Sequence, residues 1–128
     1  MNAPLPPISD AESRVMELLW QAAPQSSEDL VAALLPASDW QEKTIRTLIN
    51  RLLGKGAISA TRDGRRYLYA PLVTREAWQS RESRSLLDRV FGGRLAPMLA
   101  HFSEHEELGA KDIAELRKLL DAIEHKER

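Results

Sequence analysis

Three observations predict a mainly α-helical chain with one small β-hairpin. Residues 41–53 (QEKTIRTLINRLL) carry an apolar stripe at Ile45, Leu48, Ile49 and Leu52, the i, i+3, i+4, i+7 spacing of a helix docked on a core. A little further on, residues 58–70 (ISATRDGRRYLYA) form two β-prone runs around Asp63-Gly64, a strong signal for a two-residue hairpin. Two capped, amphipathic stretches precede them. Helix, helix, helix, hairpin is the order of a winged helix-turn-helix, in which the third helix enters the major groove of DNA and the hairpin is the wing. The chain is therefore expected to divide into a winged-helix DNA-binding domain at 1–73 and a C-terminal helical dimerisation region at 74–128.

Residues 1–8, rich in proline, read as a loose arm ending at Ile8. Ser9 followed by Glu12 is a capping box, so a first helix is expected from about Asp10 to Gln21, with Ala11, Val15, Leu18 and Leu19 facing the core. Pro24 ends the connection. Ser26 and Asp29 then start a second helix through Leu30, Val31, Leu34 and Leu35, stopped by Pro36, and Gly54 and Gly56 close the third. Thr74 is placed to cap a fourth helix that runs to about Phe91 and stops at Gly92-Gly93. A short helix over Leu95–Phe102 and a last one over Ala110–His125 complete the chain. Trp20 and Trp40, each beside an apolar stripe, are expected in the winged-helix core. Tyr67 and Tyr69 alternate onto one face of the second wing strand and are expected to pack on the core or the dimer linker rather than on DNA.

The functional signal lies on the outward face of the third helix. An advance of about 100° per residue puts Lys43, Thr47 and Asn50 opposite the stripe, flanked by Arg46 and Arg51, on a face that reads as free of Asp and Glu. Arg and Asn can each make two hydrogen bonds to one base, and Thr offers a hydroxyl or a methyl. Thr47, Asn50 and Arg46 are therefore expected at base edges, and Lys43, Thr44 and Arg51 at phosphates. Arg62, Arg65 and Arg66 would anchor the wing to the backbone or the minor groove.

Charge segregation points the same way. The net charge is only −1, yet residues 41–70 hold seven basic side chains against Glu42 and Asp63, whereas residues 1–40 hold one Arg against six acids. A local basic block is the footprint a polyanion needs, whatever the whole chain sums to. A hydrophobic content of 43% in 128 residues excludes wholesale disorder and suits one compact domain, or a small domain with an appendage. No apolar run approaches ~20 residues, and no charged and apolar leader is visible, so neither membrane insertion nor secretion is expected. With no cysteine there is no disulfide and no thiolate-bound metal. The expectation is a cytoplasmic protein without a cofactor.

In the last helix, Ile113, Leu116, Leu120 and Ile123 follow a 3-4-3 spacing with Leu119 beside them, the a/d seam of a helix pair. An intramolecular core would use the same stripe. Because the winged helix is already a complete unit, the seam is expected to meet a second copy.

Lys43-Thr-Ile-Arg-Thr-Leu-Ile-Asn-Arg-Leu52, the following Lys55-Gly56 and the exit Tyr67-Leu-Tyr69-Ala-Pro71 resemble the penicillinase-repressor family, the BlaI/MecI type. The similarity extends through Glu12 to Trp20, Phe91-Gly-Gly93 and Glu106-Glu-Leu108 to Leu120, nearly the whole chain. The resemblance implies a homodimeric repressor of palindromic operators of β-lactamase or related genes. It also implies release when a membrane-bound sensor metalloprotease signals and the repressor is cut. The family's cut lies between an Asn and a Phe; the matching pair here is His101-Phe102, a departure at the residue before the cut. A copper-responsive branch carries a C-terminal cysteine site, which this chain lacks.

Two other classes compete. His101-Phe-Ser-Glu104-His105 fits the H-x-x-E-H pattern of inverted zinc peptidases, with His101 and His105 as ligands and Glu104 as base. The third ligand would have to come from the short segment after His105, and no pocket-forming stretch follows. A pure protein-interaction module would have no need of an acid-free third-helix face. A regulator of the same architecture that answers a different stimulus is the nearest alternative.

Overall fold

The computed structural model describes residues 5–105 and 108–127; residues 1–4 of the expected arm and the Glu106-Glu107 pair of the family-like string lie outside them. The elements run α1 (Asp10–Gln21), β1 (Gln25–Ser26), α2 (Ser27–Leu34), α3 (Glu42–Lys55), β2 (Ile58–Asp63), β3 (Arg66–Pro71), α4 (Arg75–Phe91), α5 (Leu95–His105) and α6 (Ala110–Glu127). Two compact units meet inside α4, one ending at Arg81 and one beginning at Glu82.

The first unit starts its helices with side-chain caps. Ser9 Oγ accepts from the Glu12 amide at 3.1 Å while Glu12 Oε1 accepts from the Ser9 amide at 2.9 Å. Ser26 and Asp29 repeat the arrangement at α2, both bonds at 3.1 Å. Each box satisfies amide donors that a helix start would otherwise leave unpaired. At the far end of α3, Gly54 remains helical and Gly56 is the stop, with φ +78° and its amide bonded to the Leu52 and Leu53 carbonyls. A residue with a Cβ resists that left-handed conformation by about 1–2 kcal/mol, which is why glycine stands there.

The core gathers Val15, Met16 and Leu19 of α1, Leu30, Val31 and Leu34 of α2, and all four stripe residues of α3, Ile45, Leu48, Ile49 and Leu52, with Ala57 and Ile58 below them. On α1, Met16 is fully buried and Ala11 and Leu18 lie only at the margin, so the buried stripe is rotated slightly from its expected place. Leu35 is exposed, because α2 ends before it and Leu35 serves as its C-cap.

The described part of the arm is docked rather than loose. Ile8 is buried, the Leu5 and Pro6 carbonyls accept from Arg81 at 2.8 Å, and the Pro7 carbonyl accepts from Lys55 at 2.9 Å. Proline removes competing backbone conformations, and basic side chains take up the carbonyls it leaves exposed.

The sheet is antiparallel with order β1-β3-β2. Asp63 pairs with Arg66, so the two-residue loop is Gly64-Arg65, one position later than expected, with Gly64 at φ +65°. A positive φ at the first loop position is what a Gly-led hairpin turn requires. β1 is two residues long and pairs Gln25 with Tyr69 and Ser26 with Leu68.

Trp20 and Trp40 sit half-buried at the rim of the core. Trp20 Nε1 donates to the Val73 carbonyl at 2.9 Å, and its ring lies 5.4 Å from Trp78 of α4. The Arg14 guanidinium covers the Trp40 ring at 4.6 Å. Tyr69 is half-buried against the core. Tyr67 is 49% exposed and so lies off the core in a single chain, where it pairs with Arg62 near the hairpin tip.

In the second unit, Gly92 and Gly93 stop α4 at φ +60° and +77°, and the Gly93 amide donates to the Leu87 carbonyl at 2.8 Å. α5 runs a turn longer than expected, to His105. No described residue of this unit is buried.

Candidate nucleic-acid interface

The candidate interface is built on α3, whose buried stripe fixes which side chains remain outside. Lys43, Thr44, Thr47, Asn50 and Arg51 are all exposed, and Arg46 is half-buried at the flank facing α2. The Thr47 hydroxyl donates to the Lys43 carbonyl at 2.9 Å. That back-bond leaves its oxygen lone pairs and its methyl as the contact groups. Among the described residues, the Lys43 and Arg51 side chains have no hydrogen-bond or ion-pair partner, so their full charge faces outward.

The face is not free of acids. Glu42, the first residue of α3, lines one open depression together with Lys43, Arg46, Thr47 and Asn50. Its Oε1 accepts from Arg46 Nε at 3.1 Å and from Arg46 NH2 at 2.8 Å, while Arg46 NH1 donates to Ser27 Oγ at 3.0 Å and Glu28 approaches to 3.8 Å. The bond to Glu42 is the main reason that the Arg46 guanidinium holds its proton even more firmly than usual, partial burial opposing it. Arg46 is thus engaged on every nitrogen. The i,i+4 spacing of Glu42 and Arg46 is the signal that marks the pair in the sequence. Ser27 and Tyr69 also border this corner, beside Ile49 and Asn50, and no pattern in the sequence singles them out.

Arg62, Arg65 and Arg66 cluster at the exposed tip of the hairpin. Arg62 Nε donates to the Gly64 carbonyl at 3.0 Å, which braces the turn, and Arg66 lies 3.4 Å from Asp63. Arg65 has no partner among the described residues.

In the second unit, Ile113, Leu119, Leu120 and Ile123 of α6 are 40–57% exposed, with Leu116 half-buried. His101 and Phe102 are exposed on α5. The His101 and His105 rings are 4.4 Å apart and His105 lies 4.0 Å from Glu104, all on one exposed turn. No third metal-ligating side chain joins them among the described residues. No helix there is long and apolar enough to cross a membrane.

The family profile described as penicillinase repressor matches residues 8–122. A penicillinase repressor of Bacillus licheniformis is 35% identical over 124 residues, 97% of this chain and 95% of its own length. The methicillin resistance regulatory protein MecI of Staphylococcus aureus (strain N315) is 33% identical over 114 residues, 89% of this chain and 93% of that one. Among solved structures, the monomeric form of Bacillus licheniformis BlaI in complex with the blaP half-operator superimposes with a TM-score of 0.51 at 35% identity, covering 56% of this chain and 87% of that one.

Proposed function

The chain belongs to the penicillinase-repressor family, and on that footing we propose that it is a homodimeric repressor that binds a palindromic operator of β-lactamase or related resistance genes in the cytoplasm. The family is one of transcriptional regulators and not of enzymes, which leaves the His101, Glu104, His105 peptidase reading without support. The observation that carries the proposal is the exposed polar face of α3, set on a fully buried stripe and accompanied by the arginine-tipped wing. The solved relative on its half-operator supports the same use of the unit.

In this reading residues 1–73 bind DNA and residues 74–128 pair two copies. Thr47 and Asn50 read base edges with the Arg46 corner beside them, Lys43, Thr44 and Arg51 hold phosphates, and Arg62, Arg65 and Arg66 hold the wing on the backbone or minor groove. The apolar stripe Ile113, Leu116, Leu119, Leu120 and Ile123 closes the dimer. Its exposure in a single chain supports that role. Two units on one palindrome make the second contact effectively intramolecular, and this is what tightens binding. Derepression follows a signal from a membrane sensor metalloprotease and a cut at His101-Phe102, which separates α6 from the DNA-binding unit.

Histidine in place of the asparagine before that cut favours a second reading: the same repressor, answering a different stimulus. Selection from a random duplex library tests the common part. The expected product is an inverted repeat with half-sites about one helical turn apart. Enrichment of a single half-site, or of nothing, would sink the dimeric repressor.

A further inference from the structure

Arg46 was expected to offer its guanidinium to a base, yet its Nε and NH2 are spent on Glu42 and its NH1 on Ser27. Withdrawing it to reach a guanine would break three hydrogen bonds. It would also leave the Glu42 carboxylate uncompensated among DNA phosphates, a costly arrangement for a negative charge. Glu42 stands differently. It is the first residue of α3, more than half exposed, and only Oε1 is used; Oε2 has no hydrogen-bond partner among the described residues. The first turn of a helix lying in the major groove is the part that reaches base edges.

We infer that Glu42 is a specificity-determining residue of the α3 face, its Oε2 accepting from the exocyclic amino group of a cytosine in each half-site, with Arg46 as its positioning residue. Carboxylates accept from cytosine N4; at that edge of the major groove guanine presents only acceptors, thymine an acceptor and a methyl, and adenine sets its amino group beside the N7 acceptor that repels a carboxylate. Arg46 fixes the carboxylate rotamer through two donors on one oxygen and cancels its charge against the phosphates, while Ser27 of α2 pins the third nitrogen. Thr47 and Asn50 share the depression with the pair, so their contacts fall on neighbouring base pairs. The inference rests on the DNA-binding reading given above.

The test uses the intact protein and the duplex returned by selection, with each base pair replaced in turn. For the wild type, one C·G pair per half-site is expected to matter by roughly tenfold, the scale of a single base-edge contact. Glu42→Gln replaces one acceptor oxygen with a donor amide and should flatten the preference at that pair alone. Arg46→Ala should flatten the same pair, and Arg46→Lys, a point charge without the fork, should restore it only in part. Independently of DNA, the Arg46 Nε–H resonance of the free protein should be protected from solvent exchange and lose that protection in Glu42→Gln. The assignment is overturned if Arg46→Ala erases a guanine preference that Glu42→Gln leaves intact or strengthens, for then Arg46 reads and Glu42 merely competes. It is equally overturned if the resonance is unprotected in the wild type. A wild type that selects no sequence at all, with the resonance protected, would bring down the DNA-binding reading instead.

Discussion

Lys55 Nζ lies 2.5 Å from Oε1 of Glu12, joining the last residue of α3 to the first turn of α1. The carboxylate is 2% exposed, and the same oxygen accepts the Ser9 amide, while Oε2 is buried with no hydrogen-bond partner among the described residues. Removing the cation would strand a buried charge. Lys55→Met is therefore expected to lower stability by about 2–3 kcal/mol, short of the ~3–5 for a fully buried pair because the lysine is partly solvated. Urea unfolding with an unchanged slope would measure it; a loss under about 0.5 kcal/mol would show the pair to be ornamental.

The same contact sets a pH dependence. Burial pushes the Glu12 carboxyl up, but the Lys55 ammonium and the Ser9 amide and hydroxyl together outweigh it and hold the group below the usual carboxylate range of 4.5. The unfolded chain binds this proton at higher pH than the folded one. The contribution is thus fully present above about pH 4.5 and lost as pH falls through the lowered folded value. Glu12→Gln should flatten the acid limb of the stability profile relative to wild type. An unchanged limb would assign acid sensitivity elsewhere.

Base-reading and phosphate-holding side chains of α3 should separate by sequence dependence. Asn50→Ala should cost about 1–3 kcal/mol on the selected duplex and almost nothing on random DNA. Lys43→Ala or Arg51→Ala should weaken both alike. Fluorescence anisotropy on the two duplexes decides it, and equal losses for Asn50→Ala would demote that residue to a backbone contact.

In the proposed reading the wing contributes charge rather than sequence information. Replacing Arg62, Arg65 and Arg66 together by alanine should reduce the slope of log affinity against log salt by roughly 2–3, about 0.9 for each phosphate released. Arg65, without a partner among the described residues, should give the largest single change. A slope that does not move means the wing stays off the DNA.

The α6 stripe should control operator affinity from a distance. Leu116→Asp with Leu120→Asp puts charges into an apolar contact, several kcal/mol of cost, and should yield monomers that bind half-sites only. Residues 1–101 alone should behave the same way. Sedimentation beside operator titration checks both, and a dimer with wild-type affinity in either case would refute the mechanism.

How much of this was legible depended on whether the signal was local. The capping pairs Ser9–Glu12 and Ser26–Asp29 and the α3 stripe are patterns within a few residues, and they appear where they were expected. β1 was invisible because two residues carry no periodicity; they become a strand only when β3 lies alongside. Trp78 carries no local signal for a similar reason: it meets Trp20 across 58 positions of chain. At the α3 face the positive residues were readable by angle. The Glu42–Arg46 pair is marked by its local i,i+4 spacing, whereas the contribution of Ser27 requires the fold itself.

Ser26 belongs at once to β1, through its pairing with Leu68, and to α2, as its N-cap. A tilt of the hairpin must therefore carry the first turn of α2 with it. Ser27, the next residue, holds Arg46 and so the start of α3. The orientation of the hairpin and that of the first turn of α3 are geared together by two adjacent serines.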